Sequence, residues 1–431
     1  MLAFAAGERR IFPYNWDQHD FQNGLRLIVV PTDYPNVVAL YIVVQAGSRN
    51  EVEPGKSGFA HLFEHMMFRG TKNFPPEKYE GVLKAAGASS NAYTTDDHTA
   101  YHTTFSKEDL ETILAMEADR FQNLEYSPDV FRTEALAVLG EYNKNSADPA
   151  NKLEEVLRDT AFDRHTYKHT TMGFLKDILD MPNQFDYSRL FFDRYYRPEY
   201  TTIIVAGDVE PARVRALVEK YWGGWKPGRF RPEIPAEPPA GAPRTNHISW
   251  ASPTLPWVVV GFRGPAYSDE IPDHAALDLI AYLGFSESSE LYRKLVIREQ
   301  RVDILEAENL RRVDPYLFNV WARVKKDADV AAVRDEILAT LEAFQQEPVD
   351  AQRLERVKRH LRYRFVLSLR DSQAVAATVA RFVALRRTPE TINRLFELYE
   401  KVTPATIQAV ARKYFIEQGR TIVTLAGGTA Q

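Results

Sequence analysis

Apolar positions along this chain fall into two kinds of run. Short, nearly continuous runs rich in β-branched residues predict strands at Leu25-Arg-Leu-Ile-Val-Val30, Val38-Ala-Leu-Tyr-Ile-Val-Val44 and Thr201-Thr-Ile-Ile-Val-Ala206. The region 89–105 is also rich in strand formers. Stretches with apolar residues at helical spacing predict helices at about 75–86, 108–124 and 128–145. The second half follows a similar order. It has a strand at 257–262, a helix at 272–283, a polar segment at 284–290 and a helix continuing to Arg298. A strand at 317–324, helices at 328–346 and 350–369, and a closing strand at 421–426 before Gly427 complete it.

Between the halves, six prolines fall in the stretch Pro227 to Arg244. Each removes a backbone donor and fixes φ, which excludes helix and central strand and leaves an extended linker. The expected organisation is therefore residues 1–226, a linker at 227–245, and residues 246–431. Opening strands, paired helices and a closing strand before glycine recur on both sides. The pattern predicts an α+β fold built from a duplicated unit.

Composition narrows the function classes. The chain has 431 residues, 45% hydrophobic and 26% charged, the balance of a globular protein with room for two or more domains. Net charge is −5 with no basic block, which argues against a nucleic-acid partner, and no apolar run is long enough to span a bilayer. There is no cysteine, so disulfides and thiolate metal sites are excluded, and any metal must be held by histidine and carboxylate. At the start, Ala3-Phe4-Ala5 fits a signal-peptidase site and favours a bacterial periplasm over the cytoplasm. An ordinary frayed terminus is the plain alternative.

One motif carries chemistry. Residues 61–65 read His-Leu-Phe-Glu-His. On a helix, His61 and His65 lie about 40° apart in azimuth, so two imidazoles can grip one metal ion. Glu64 beside them can reach a water at that ion. This is the inverted zincin order, H-x-x-E-H, which points to a zinc peptidase. Two other histidine pairs four apart, His98/His102 and His165/His169, have no carboxylate between them and sit in strand-like and loop-like sequence. Two imidazoles in the apolar run 59–68 would be costly to bury without a partner. A third ligand must be nitrogen or oxygen. Glu141 is the candidate. It shares a helix face with Glu134, seven positions earlier, and the apolar neighbours Leu136, Val138 and Leu139 place that helix against the core. Periodicity alone would equally make Glu141 a solvated surface acid.

These motifs together resemble the pitrilysin/insulinase family of inverzincins, and in particular its shorter two-domain members, which include the mitochondrial processing peptidases. The likeness runs over nearly the whole chain. It rests on H-x-x-E-H, on the later Glu141 and Glu134, on Gly47-Ser-Arg-Asn-Glu51, on Asn91-Ala-Tyr-Thr94, and on Leu283 to Tyr292. The resemblance implies two related α+β domains, each a mixed sheet flanked by helices, closing like a clamshell. It implies zinc held by His61, His65 and Glu141, with Glu134 supporting the site and Glu64 as general base. It further implies an extended peptide added to an edge strand at Asn91 and Ala92.

The chain departs from the family pattern at one place. The family uses an Arg and a Tyr of the second half to hold substrate and stabilise the oxyanion. Here Arg298 or Arg301 stands in the matching segment, but Asp303, Ile304 and Leu305 follow in place of a tyrosine. A homologous partner subunit supplying that pair, in a heterodimer, is the expected answer, with a homodimer as the alternative. A non-catalytic structural or peptide-holding subunit of the same fold is the rival reading. The plainest rival is a protein whose histidines are merely packed.

Overall fold

Strands that read as unbroken apolar runs are buried on both faces, and they form the inner strands of two mixed sheets. The computed structural model describes residues 10–427. Its N-terminal sheet contains β1 (Asp17–Asp20), β2 (Arg26–Pro31), β3 (Val37–Val44), β4 (Ser89–Thr94), β5 (Thr99–Ser106) and β6 (Thr201–Gly207), in the order β1-β2-β6-β3-β5-β4. Its C-terminal sheet contains β7 (Arg244–Trp250), β8 (Trp257–Arg263), β9 (Val302–Asn309), β10 (Leu317–Val324) and β11 (Arg420–Gly427), in the order β7-β11-β8-β10-β9.

Without β1 the two orders are the same. In each sheet the strand that closes the half pairs parallel with the strand that opens it, β6 with β2 and β11 with β7. Every other pairing is antiparallel. This is the duplicated α+β unit, one mixed sheet with helices in each half. Edge strands β4 and β9 occupy equivalent positions.

Grouped by contacts, the chain forms two units that are not its two contiguous halves. One unit holds residues up to Tyr142, Thr171–Ile234 and Phe365–Ile392. The other holds Asn143–Thr170, Pro235–Arg364 and the chain from Asn393. The main division falls inside the proline-rich segment, where no helix or strand is present between Trp222 and Arg244. The simple cut at 227–245 misses two helices. Pro149–Ala161 puts Leu153, Leu157 and Ala161 into a core with Val259, Leu317 and Val423 of the C-terminal sheet. Ser372–Arg386 covers β3 and β6 of the N-terminal sheet. An amphipathic pattern states that a helix has an apolar face, but not which sheet will bury it.

Among the described residues no helix is long and apolar enough to cross a membrane. The Ala3-Phe4-Ala5 segment lies outside the described residues.

Behind β5 the N-terminal core contains a buried ion pair. Glu117 and Arg120, one helical turn apart on Leu110–Asn123, are 1% and 2% exposed. Arg120 Nε donates to Glu117 Oε2 at 2.9 Å, and the Tyr79 hydroxyl donates to Glu117 Oε1 at 2.9 Å. The guanidinium also lies over the rings of Phe68, Tyr79, Tyr101 and Phe121 at 5.0 to 5.6 Å. Arg120→Ala is expected to lose about 3–5 kcal/mol of unfolding free energy, because Glu117 is left charged and unpaired. The joint change Glu117→Leu/Arg120→Met should lose clearly less. Denaturant titration of both variants checks this, and equal losses would contradict it.

Candidate metal centre

The helix that bears the motif is only eight residues long, Phe59–Met66, and its first residue lacks a side-chain cap. Gly58 precedes it at φ +90°, and a Cβ there would sit 2.3 Å from Ile178 Cδ1. Only glycine fits that entry. The missing cap is replaced from upstream. Glu51, 4% exposed, accepts from the backbone N–H of Gly58 and of Ala60, both at 2.7 Å. A carboxylate at a helix N-terminus also meets the favourable end of the helix dipole. Burial outweighs the pull of these two donors and pushes the Glu51 carboxyl up to about 8.

Phe59, Leu62, Phe63 and Met66 enter the core, and this turns His61 and His65 toward the helix Pro128–Asn145. The His61 and His65 rings lie 4.9 Å apart at an interplanar angle of 84°. His61 Nε2 is 3.6 Å from Glu141 Oε2, and His65 Nε2 is 3.5 Å from the same oxygen. All three ligand atoms fall within 4.8 Å of one another, the one such group among the described residues.

These separations discriminate between two explanations. A proton shared between imidazole and carboxylate would bring them to about 2.7–2.9 Å. Ligands about 2.0–2.2 Å from one tetrahedral zinc would stand roughly 3.3–3.6 Å apart. The donor set therefore fits a zinc ion. Burial holds the His61 imidazole down at about 4, so it is neutral and has a lone pair to give. His61 Nδ1 is buried without a hydrogen-bond partner.

Around these three stand supporting groups. Glu134 Oε2 faces His65 Nδ1 at 3.6 Å, and Arg69 Nε donates to Glu134 Oε1 at 2.9 Å. Glu134 raises the basicity of His65. Burial works to raise Glu134 itself, but His65 and Arg69 together hold its carboxyl below the usual range. A carboxylate behind a ligating histidine fixes which ring nitrogen faces the metal. Glu64 accepts from the Thr94 hydroxyl of β4 at 2.7 Å, and burial raises its carboxyl.

Residues named from the sequence are thus partly gathered. His61, His65 and Glu141 converge on one point, Glu134 stands behind His65, and Glu64 is near enough to feel the charges of His65 and Glu141. Asn91 and Ala92 lie on β4, the edge of the N-terminal sheet, a few residues before Thr94. Asn91 Oδ1 accepts the Ala92 N–H at 2.9 Å. One supporting argument was wrong: Leu136 is 52% exposed, and the buried face of its helix is made by Phe131, Glu134, Ala135, Val138 and Tyr142. Sequence reasoning missed the roles of Glu51, Arg69 and Thr94. Arg69, four positions after His65, was within reach of helical spacing. Thr94 carried no signal, because a strand threonine is ordinary.

The other histidine pairs have other employments. His98 Nδ1 meets Thr95 Oγ1 at 2.9 Å, and His102 stacks on Tyr41 at 4.7 Å. His165 Nε2 meets Asp314 at 2.9 Å. In the C-terminal unit Arg298 pairs with Glu290, and Arg301 pairs with Glu299, Asp329 and Glu336. Asp303 pairs with Arg323, and Leu305 is buried.

Comparison with known proteins identifies the family. Residues 27–174 match the family model described as insulinase, peptidase family M16, and residues 185–361 match the model described as the M16 inactive domain. The zinc protease PqqE of Helicobacter pylori is 28% identical over 94% of this chain and 91% of its own. The crystal structure of a protease from Helicobacter pylori superposes with a TM-score of 0.89 at 27% identity, covering 96% of this chain and 99% of that one. A probable mitochondrial-processing peptidase subunit beta of Schizosaccharomyces pombe is 24% identical over 88% of this chain and 85% of its own. The cytochrome b-c1 complex subunit 1 of Rattus norvegicus is 26% identical over 60% of this chain and 52% of its own. Zinc is the cofactor that the names of the bacterial relatives carry. With both halves matched by models of one family and the H-x-x-E-H helix inside the first, this chain belongs to the insulinase family of peptidases, M16.

Proposed function

We propose that this chain is a catalytic zinc endopeptidase that cleaves extended peptides or unfolded segments, with His61, His65 and Glu141 as zinc ligands and Glu64 as general base. The observation that carries this is the approach of two Nε2 atoms and one carboxylate oxygen at 3.5 and 3.6 Å, with Glu64 beside them. Zinc bound there would supply Lewis acidity, which lowers the pKa of water toward neutrality and polarises a carbonyl.

Glu64 takes the proton from the attacking water and returns it to the leaving amine. Burial raises its carboxyl, which strengthens it as an acceptor of that proton. Thr94 is its positioning residue, through the hydroxyl that aims one carboxylate oxygen. Glu134 positions His65, and Arg69 positions Glu134. A substrate strand pairs with the open edge of β4, where a peptide carbonyl replaces the Asn91 side chain at the Ala92 N–H.

A homologous partner chain completes the site in this reading. No tyrosine lies among residues 302–305, and Arg298 and Arg301 are engaged by carboxylates of their own unit. Two relatives carry subunit names, which supports assembly with a partner. A second reading, a structural or peptide-holding subunit, is favoured by the relative named as a subunit of the cytochrome b-c1 complex. Activity separates the two readings.

Glu64→Gln should retain stoichiometric zinc and lose about 100- to 10,000-fold in kcat, read on a quenched fluorescent peptide. Turnover at the parent rate by that variant would falsify the assignment. Glu141→Gln should lose zinc during dialysis, and Glu134→Gln should weaken zinc affinity about 10- to 100-fold, both read by metal analysis against a competing chelator. Chelator treatment should abolish cleavage and zinc should restore it. Absence of cleavage both by this chain alone and with every homologous partner, with zinc still bound, would favour the structural reading.

A further inference from the structure

Glu64 is held at one end by Thr94, whose hydroxyl reaches its carboxylate from β4. Its other end, the backbone, is held from the neighbouring strand. Tyr101 of β5 reaches the helix Phe59–Met66, and its hydroxyl donates to the Phe63 carbonyl at 3.0 Å. That carbonyl lies in one rigid peptide plane with the Glu64 N and Cα. A bond to the Phe63 oxygen therefore orients the backbone from which the Glu64 side chain departs. The contact falls where the helix ends. Phe63 O also receives the Met67 N–H, and a tighter turn, Met67–Arg69, follows at once. Helix ends are where the backbone frays, and a donor from a strand fixes this one.

A second phenol stands behind the first. Tyr101 has one proton and gives it to Phe63, so the Tyr196 hydroxyl is the donor in the 2.6 Å contact between the two tyrosines. Hydroxyl, hydroxyl and carbonyl form a chain in which each bond polarises the next. Both side chains are 1% exposed. Burial raises both phenols, so each keeps its proton and remains a donor. The charge of Glu64 reaches both of them. The Tyr101 ring is confined, with Phe121 edge-on at 5.4 Å and the Arg120 guanidinium over it at 5.1 Å. Tyr196 is confined too, its ring 5.3 Å from that of Phe63 and 5.0 Å from that of Phe192.

The place of Tyr101 in the sheet gives these contacts a consequence. In the ladder of β4 with β5, Tyr101 stands opposite Ala92, and Thr99 opposite Thr94. One residue of β5 thus backs the edge position at which a peptide would pair and also grips the helix that carries the base. A peptide strand added to β4 would lie about 4.8 Å further out. Its scissile carbonyl and the Glu64 backbone are then located from one frame. Position matters steeply in such a site, since a misplacement of about 1 Å costs about 100-fold in rate. The plainer account of a buried tyrosine is a hydroxyl that only needs a partner. On that account, removing either hydroxyl costs the same.

We propose that Tyr101, with Tyr196 behind it, is a positioning residue for the general base, fixing the peptide plane of Glu64 against the strand that backs the β4 edge. This role rests on the reading of Glu64 as the base.

Tyr101→Phe and Tyr196→Phe each remove one buried hydroxyl from the zinc-loaded full chain, but only the first removes the bond to Phe63. Tyr101→Phe should lower kcat at least about tenfold on the quenched fluorescent peptide, with KM and zinc affinity within about twofold of the parent. Tyr196→Phe should keep kcat within about threefold. In place of Tyr101, 4-aminophenylalanine keeps a donor at the same ring position and should retain most of the rate. In the metal-free chain, hydrogen exchange of residues 64–69 should quicken at least about fivefold in Tyr101→Phe and stay near the parent in Tyr196→Phe. Equal kcat losses in the two variants, an unchanged kcat in Tyr101→Phe, zinc lost along with activity, or unchanged exchange would each overturn the proposal. Should Tyr101→Phe fold poorly, the 4-aminophenylalanine variant decides, and a tenfold loss of kcat there would overturn it as well. A parent chain that cleaves nothing would remove the base and this role together, whereas an active parent with any of those outcomes removes this role alone.

Discussion

Three electron-pair donors brought together at one point are the constraint from which the N-terminal unit can be understood. His61 and His65 each bring Nε2 to within 3.6 Å of one Glu141 oxygen, and the three atoms lie within 4.8 Å of one another. A divalent cation at its centre would satisfy all three donors at once. Everything around it resists relaxation. Glu51 caps the short helix from outside, Gly58 admits its first turn, and Phe59, Leu62, Phe63 and Met66 anchor one side in the core. Arg69 and Glu134 hold His65 from behind. The stiffness is therefore that of a preorganised ligand set, in which the supporting shell matters as much as the ligands.

Duplication gave the chain two sheets of one topology and two equivalent edge strands, whose chemistry has diverged. Beside β4 stands the helix with two histidines and a glutamate, joined to the strand through Thr94 and Glu64. Beside β9 stands a groove lined by arginine and carboxylate side chains alike, and no H-x-x-E-H occurs in that half. The same geometric asset, an unpaired strand edge, is retained in both units while the side chains facing it differ. Fold alone does not say what chemistry stands beside each edge.

Much of this was legible in the sequence where the information is local. The helix Pro128–Asn145 and the strand Leu317–Val324 stand where the pattern of apolar residues put them. The i, i+4 spacing of His61 and His65 and the i, i+7 spacing of Glu134 and Glu141 are properties of any helix. Other elements were not legible. β9 follows a widened helical turn and carries Asp303, Glu306 and Glu308, which hide an edge strand in polar sequence. Helices Pro149–Ala161 and Ser372–Arg386 each pack on the sheet of the other half of the sequence. Leu136 was assigned to the core because it is apolar, yet it faces water.

By itself the sequence determined the fold class, the duplicated order of elements and the identity of the metal-binding helix, since each follows from short-range spacing and backbone preference. Tertiary structure alone decided that Glu141 meets the histidines, that Thr94 aims Glu64, and that Glu51 closes a helix it does not belong to. Those contacts join residues that are distant along the chain or sit on separate elements. Their energies come from burial and from charges brought together by packing, which no local pattern of residues encodes.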